Sequence, residues 1–123
     1  MNYDEDSEFS KEFKRFAKKW RSLPNDIKDA KLLIEKMYTP QDKVNIKEYK
    51  KSLFNSKRAT ILHNSDTCEV VKMRLDCAAL GNKELLRLIF VFVCTENGVT
   101  FIELYAKNDK SREDEKRIRK YIV

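Results

Sequence analysis

Two β-prone runs on either side of Asn97-Gly98 constrain the fold of this chain more than any other feature. Residues 85–94 are apolar except for Arg87, and a second β-prone run covers residues 99–107. Asn-Gly is a strong β-hairpin signal because both residues tolerate the positive φ angles of a type I′ turn. The sequence therefore predicts two antiparallel strands joined by a two-residue loop.

A two-residue loop fixes the expected register of this hairpin. It places Glu96 opposite Val99 and Arg87 opposite Asn108. Because directly opposed residues share a face, one face is expected to carry Ile89, Val91, Val93, Ile102 and Leu104, and the other Leu88, Phe90, Phe92, Phe101, Glu103 and Tyr105. The first strand is apolar on both sides, so both faces of the sheet must be covered.

Residues 68–76 show the alternation of a third strand. Val71, Met73 and Leu75 are expected to face the core, and the residues between them, Val70, Lys72 and Arg74, are expected to face the other way. A turn at residues 81–83 leads from this strand into the hairpin. We therefore expect an antiparallel meander, within a small sheet of three to four strands.

Two helices are predicted near the N-terminus, after a short polar tail at residues 1–6. The first begins near Ser7 with an apolar stripe, and a strand that includes Phe9 is the alternative. Its basic face (Lys11, Lys14, Arg15, Lys18, Lys19 and Arg21) is interpreted as solvated rather than as a surface for RNA or lipid. The second begins near Pro24 and ends at residues 39–40, so the two helices form an antiparallel helical hairpin.

The remaining segments are harder to interpret. A short helix near residues 45–54 and a turn at residues 64–66 are expected in the middle of the chain. A C-terminal helix is expected to open at Ser111, with acidic residues in its first turn and basic residues in its last. This helix, through Ile118, Tyr121 and Ile122, or a partner protein would cover the sheet face that the helical hairpin leaves open. The chain is thus expected to be a single α+β domain covering residues 1–123.

Composition narrows the functional classes. The chain has 26 Lys and Arg against 20 Asp and Glu, which suits nucleic acid, an acidic partner or simple solubility. Three cysteines, none in a C-x-x-C pair, and a single histidine argue against a disulfide framework or a zinc site. Reduced thiols, a polar N-terminus without signal-peptide character and apolar runs of about ten residues at most favour a cytoplasmic location and no membrane association.

The order of these elements resembles the RelE/ParE toxin superfamily of type II toxin–antitoxin systems. The resemblance is carried by residues 87–90, by residues 101–110 followed by a charged terminal helix, by residues 72–74 and 80–83, and by the helix starting near Phe9. It covers about residues 7–38 and 68–122. Residues 39–67 lie outside it and are interpreted as an insertion or an extended loop.

The resemblance implies a cytoplasmic toxin that cleaves mRNA, free or on the ribosome, without a metal or other cofactor. A cognate antitoxin protein would hold it inactive. In such a reaction the 2′-hydroxyl attacks the adjacent phosphorus, which requires a proton acceptor, positive charge around the phosphorus and an acid for the leaving oxygen. The matching positions are Arg87, Lys107 and Lys110, interpreted as catalytic residues, and Lys72 and Arg74, interpreted as RNA-binding residues. Two further RNA-binding residues, Lys83 and Arg112, are predicted from the expected register. The expected register independently gathers Arg87, Lys107, Lys110 and Arg112 at the open end of the hairpin, where Lys83 can join them.

Two other functions remain open from the sequence. One is a ParE-like toxin that inhibits a protein target such as DNA gyrase, and the other is a non-catalytic RNA-binding module with the same fold. No carboxylate or histidine occupies an evident general-base position in the hairpin, and Tyr105 and Tyr121 fit core positions better. Arg87 has an alternative role as a salt bridge to Glu84 or Asp109 that closes the end of the sheet.

Overall fold

The computed structural model contains one mixed β-sheet with helices on both faces. It describes residues 1–38, 51, 54, 58–81 and 83–122. The elements in these residues are β1 (Asn2–Glu5), α1 (Ser7–Lys19), α2 (Leu23–Tyr38), β2 (Ala59–Asn64), β3 (Cys68–Cys77), β4 (Lys83–Val93), β5 (Gly98–Ala106) and α3 (Glu115–Arg119). The strand order is β1-β5-β4-β3-β2. Strand β1 runs parallel to β5, and the other neighbours are antiparallel.

The sheet has five strands rather than the expected three to four, because a strand is added at each edge. The expected polar tail contributes β1, where Tyr3 stacks on Phe101 with ring centroids 5.8 Å apart. The expected insertion contributes β2, which joins β3 through the predicted turn, closed by a 2.9 Å bond from the Ser65 amide to the Cys68 carbonyl. Strand β1 pairs with β5, which is distant in sequence, and β2 lies in the segment outside the family resemblance. Local composition therefore did not reveal either strand.

The β4–β5 hairpin is present, but its predicted register is wrong. Residues 94–96 form a 3₁₀ turn and Asn97 has a φ of 46°, so the first opposed pair is Val93 with Gly98. A type I′ turn needs positive φ at both central residues, and Gly98 does not adopt it. Since the loop is longer than expected and the pairing also shifts between Ile89 and Phe90, Arg87 lies opposite Tyr105 instead of Asn108.

One face of the sheet is covered by α1 and α2. Phe9 of α1 is completely buried and stacks on Phe101, with ring centroids 5.3 Å apart. The core here comprises Phe16, Leu23, Ile27, Ala30, Ile34 and Met37 from the helical side and Val71, Met73, Leu75, Leu86, Leu88 and Phe90 from the sheet. The predicted alternation of β3 is therefore confirmed, because Val70, Lys72 and Arg74 lie on the opposite face.

The opposite face is covered in part by α3. Ile118 is buried there, and Tyr121 and Ile122 pack beside it. They contact a smaller core made of Cys68, Val70, Ile89, Val91, Ile102 and Tyr105. Helix α3 has five residues. The polar end of this sheet face lies beyond the apolar residues that α3 contacts. The apolar strand β4 is thus covered on both sides, as its composition required.

Helix α3 begins later than predicted, at Glu115 instead of Ser111. Asp114 is its N-cap and accepts a 3.2 Å hydrogen bond from the Arg117 amide. Aspartate is among the best N-cap residues, and here it fixes the start of the helix after the acidic run has already begun. Glu113 consequently lies outside the helix, and its carboxylate contacts Lys72 of β3.

The helix expected near residues 45–54 lies almost wholly outside the described residues. In the part of the chain that is described, no helix is both long enough and apolar enough to cross a membrane.

Asp6 ties the first helix to the last residues of the fold. Its Oδ1 accepts the Glu8 amide at the start of α1, and its Oδ2 accepts the Tyr121 hydroxyl. Burial alone would raise the pKa of Asp6, but the hydrogen bonds from Tyr121 and Glu8 and the charge of Arg117 hold it below its usual value of 3.8. A carboxyl with a lowered pKa contributes stability that is present above its unfolded pKa and is lost as the pH falls through its folded pKa.

We therefore expect Asp6→Asn to lower the free energy of unfolding near neutral pH by about 1.5–3 kcal/mol, the range for a hydrogen bond to a charged group. The difference from wild type should shrink as the pH falls below 3.8. Urea denaturation across this range measures both, with Asp4→Asn on the exposed part of β1 as the control. A difference that is constant with pH would contradict the assignment.

Candidate anion-binding pocket

Four cationic side chains from the sheet and the turn after it line one pocket of about 270 Å³. Its lining comprises Thr60 of β2, Lys72 and Arg74 of β3, Arg87 of β4, Tyr105 of β5, and Lys107 and Ser111 of the following segment. Among the described residues, no carboxylate belongs to this lining. Cations and hydroxyl groups converging on one space suit an anion, with charge-assisted hydrogen bonds to its oxygens.

The register of the sheet explains why these side chains meet. Arg74 of β3 lies opposite Arg87 of β4, which in turn lies opposite Tyr105 of β5. Directly opposed residues share a face, with their Cβ atoms about 4.5–5.5 Å apart. Lys72 lies two residues along β3 on the same face, opposite Thr60. The floor of the pocket is therefore a row of side chains across three central strands.

The opposition of Arg74 and Arg87 is unfavourable for the sheet by itself. Like charges directly opposite each other destabilise a strand pair. Arg87 is only 8% exposed, and its Nη1 donates a 3.3 Å bond to the Leu86 carbonyl. Two guanidinium groups side by side offer several N–H donors to the oxygens of one anion.

Tyr105 supplies a protonated hydroxyl group to the pocket. Burial is the main reason that its pKa rises to about 12, and the negative charges of Glu113 and Glu103 add to the effect, against the opposing charge of Arg87. At neutral pH the phenol is therefore neutral. It can donate a hydrogen bond or a proton, but it cannot serve as a phenolate base.

Three of the predicted site residues are not seen in the lining. Lys110 pairs with the fully buried Glu103 and lies over the Tyr105 ring, 5.4 Å from its centroid. Arg112 is 77% exposed and lies 3.5 Å from Glu115. The Lys83 side chain lies outside the described part of the structure. The other four predicted residues, Lys72, Arg74, Arg87 and Lys107, meet in the pocket.

Sequence reasoning missed one acidic residue beside the pocket. The Oε2 atom of Glu113 accepts a 3.2 Å hydrogen bond from Lys72 Nζ. Burial opposes its ionisation, but hydrogen bonds from its own backbone and from Lys72 outweigh burial and lower the pKa of Glu113. The sequence showed Glu113 only as a helix-starting acid. Thr60 and Ser111 were also missed, because neither carries a charge that would single it out.

A second pocket of about 230 Å³ lies on the other side of Arg74. Its charged lining comprises Asp26, Asp29, Asp76, Arg58 and Arg74. Arg58 already pairs with Asp76 at 2.7 Å. Because three carboxylates outnumber two guanidinium groups, this pocket suits an anion less well than the first one.

Among the residues that the structure describes, no group of three or more His, Cys, Asp or Glu side chains is arranged to hold a metal ion. Comparison of the chain with protein-family models, with curated proteins and with solved structures gives no match. The chemistry of the first pocket therefore has to be inferred from its own residues.

Proposed function

We propose that this protein is an endoribonuclease of the mRNA interferase type, the toxin of a type II toxin–antitoxin system, acting at the pocket around Arg87. The observation that carries the proposal is the convergence of four cations and a protonated phenol on one space. RNA is the anion that best matches this chemistry, because its phosphodiester is negatively charged and its neighbouring 2′-hydroxyl is an internal nucleophile.

The cations suit the charge that develops during RNA cleavage. When the 2′-oxygen bonds to phosphorus, negative charge builds up on the non-bridging oxygens, and positioned donors stabilise it more strongly than water does. Arg74 and Arg87 offer planar guanidinium groups that bind phosphate oxygens in pairs. Lys107 adds a third positive charge from the segment after β5. The products would be a 2′,3′-cyclic phosphate and a free 5′-hydroxyl.

Tyr105 is the candidate acid of the site. Its neutral phenol lies in the same row as Arg87 and can protonate the leaving 5′-oxygen. The phenolate left behind would be stabilised by Arg87, whose charge already favours that form. A hydroxyl donor among cations thus meets two of the requirements of the reaction, the acid and the positive charge.

The arrangement of elements supports a RelE-like assignment within this proposal. Two N-terminal helices lie on one sheet face, and a short charged helix follows the last strand on the other. The substrate would be mRNA, free or on the ribosome. The natural inhibitor would be an acidic cognate antitoxin that covers the pocket, since an acidic segment complements the same cations.

The proposal is tested by incubating the purified chain with mRNA, with and without ribosomes. We expect cleavage to fragments that end in a cyclic phosphate, and growth arrest when the chain is induced alone in a bacterial host. Intact RNA in both reactions would overturn the proposal. In that case RNA binding without cleavage would indicate a non-catalytic module, and inhibition of gyrase supercoiling would indicate a ParE-like toxin.

A further inference from the structure

We infer that Glu113 is the general base that accepts the 2′-hydroxyl proton, an inference that rests on the proposed ribonuclease function. The pocket lining seen in the structure supplies positive charge and an acid, but it contains no proton acceptor. Glu113 lies beside the pocket, on the segment between β5 and α3, where it contacts Lys72. Its role follows from its position, its charge state and the exclusion of the neighbouring carboxylate.

The position of Glu113 is set by its contact with a residue of the lining. Lys72 Nζ lies 3.2 Å from Glu113 Oε2, and the two side chains are 29% and 10% exposed. Ser111, two residues earlier on the same segment, belongs to the pocket lining. The carboxylate therefore stands at the rim of the pocket, within one side-chain contact of the space that a phosphodiester would occupy.

Two cations near Glu113 keep it ionised before RNA binds, Lys72 of β3 and Arg112 of its own segment. Tyr105 of β5 also lies near Glu113, and its phenol is neutral at neutral pH. The pKa of Glu113 is lowered, so the carboxylate is available at neutral pH. A bound phosphate would compete for Lys72 and add negative charge nearby. Both effects raise the pKa of the carboxyl towards the range in which it is an effective base.

Glu103 is the neighbouring carboxylate and the alternative candidate for the proton acceptor. Its side chain is fully buried, and it is held by Lys110 and by a 2.8 Å hydrogen bond from the Asp114 amide. A 2′-hydroxyl group cannot reach a carboxylate without exposed surface. Glu103 is therefore a positioning residue for the segment that carries Glu113, and Glu113 remains as the proton acceptor.

The step balances with the groups present. The 2′-hydroxyl proton passes to Glu113 as the bond between the 2′-oxygen and phosphorus forms. The bond from phosphorus to the 5′-oxygen breaks, and the leaving oxygen takes the proton of Tyr105. After the products leave, Glu113 loses its proton to solvent and Tyr105 regains one, so neither an oxidant nor another reactant is needed.

Glu113→Gln is the first test, because it keeps the size of the side chain and removes the base. We expect single-turnover cleavage of RNA to fall by about 10²–10⁴-fold, the usual contribution of a general base. RNA affinity should be unchanged or tighter, since a negative charge is lost. Glu115→Gln is the matched control, because it removes an exposed carboxylate two residues further along the chain. This variant should cleave RNA at the wild-type rate.

Chemical rescue separates a base from a residue that only positions Lys72. Formate added to Glu113→Ala should restore part of the lost rate, because the small acid can occupy the vacated space. A second substrate with sulfur in place of the 5′-oxygen needs no acid for departure. This substrate should restore the cleavage rate of Tyr105→Phe but not that of Glu113→Gln. If formate has no effect and the sulfur substrate rescues both variants equally, Glu113 is not the base.

These outcomes are distinguishable from failure of the proposed function. Should wild type leave RNA intact, both ideas fall together. Should wild type cleave while Glu113→Gln cleaves equally well, only the inference about Glu113 falls. Urea denaturation of each variant shows whether the fold is retained, and Glu113→Asp, which keeps a carboxylate, should keep more activity than Glu113→Gln.

Discussion

Arg87→Ala is expected to lower RNA cleavage by about 10²–10³-fold, the usual effect of removing one donor that stabilises an oxyanion. Arg87 lies in the centre of the row that forms the pocket floor, between Arg74 and Tyr105. Its loss removes the guanidinium that would bind the phosphate of a substrate and also the charge that would stabilise the Tyr105 phenolate. Single-turnover kinetics on a defined RNA measure the effect.

Two variants make this result specific. Arg119→Ala removes an equal charge from an exposed position that lies 4.0 Å from Glu115, so it should leave cleavage nearly unchanged. Arg87→Lys keeps the charge but not the planar pair of donors, and its cleavage rate should fall between those of wild type and Arg87→Ala. Equal losses at Arg87 and Arg119 would mean that bulk charge, rather than the pocket, controls activity. The salt dependence of RNA binding reports the same distinction.

Arg117→Ala is expected to lower the unfolding free energy by up to about 3–5 kcal/mol, the cost of removing one partner of a fully buried ion pair, because this pair is partly buried. The guanidinium of Arg117 donates to both Glu12 carboxylate oxygens, at 2.8 and 3.1 Å, and to the Ile102 carbonyl at 2.9 Å. It is 11% exposed and Glu12 is 17% exposed. Its removal leaves Glu12 without this cation and loosens α3 from both α1 and β5.

The control for this prediction is Arg119→Ala, on the same helix. Arg119 is 74% exposed and lies 4.0 Å from Glu115, so its loss should change the unfolding free energy by less than about 0.5 kcal/mol. In a double-mutant cycle, removing Glu12 together with Arg117 should cost less than the sum of the single changes. Additive costs, measured by urea denaturation, would show that the two side chains do not act as a pair.

Local patterns predicted the elements of the fold better than their pairing. The alternation of β3 correctly separated Val71 and Met73 from Lys72, because side-chain direction in a strand depends on sequence parity alone. The hairpin register was predicted wrongly because it depends on the loop conformation. A 3₁₀ turn followed by one left-handed residue stands where two residues of positive φ were expected. Edge strand β1 was not predicted because pairing with the distant strand β5 overrides weak local signals. Edge strand β2 was not predicted because its segment was interpreted as an insertion or an extended loop.

The candidate site was predictable to the extent that it follows from strand geometry. Arg87 and Lys107 meet despite the wrong register, because the Lys107 amide bonds to the Leu85 carbonyl and continues the pairing of the strands past β5. Lys110 is not seen in the lining because it pairs with Glu103, and nothing local in the sequence shows that Glu103 is buried. Glu113 was missed for the same reason, because its contact with Lys72 spans two distant segments.

The parallel pairing of β1 with β5 also sets when the sheet can be completed during synthesis. Asn2 lies opposite Gly98, so the first strand has no partner until residues 98–101 have left the ribosome. Contacts between such distant segments form slowly, because a large loop must close before they contribute stability. A nascent chain that ends at β4 also lacks Tyr105 and Lys107. The edge strand and the pocket are therefore both completed only after β5 and the segment that follows it have been synthesised.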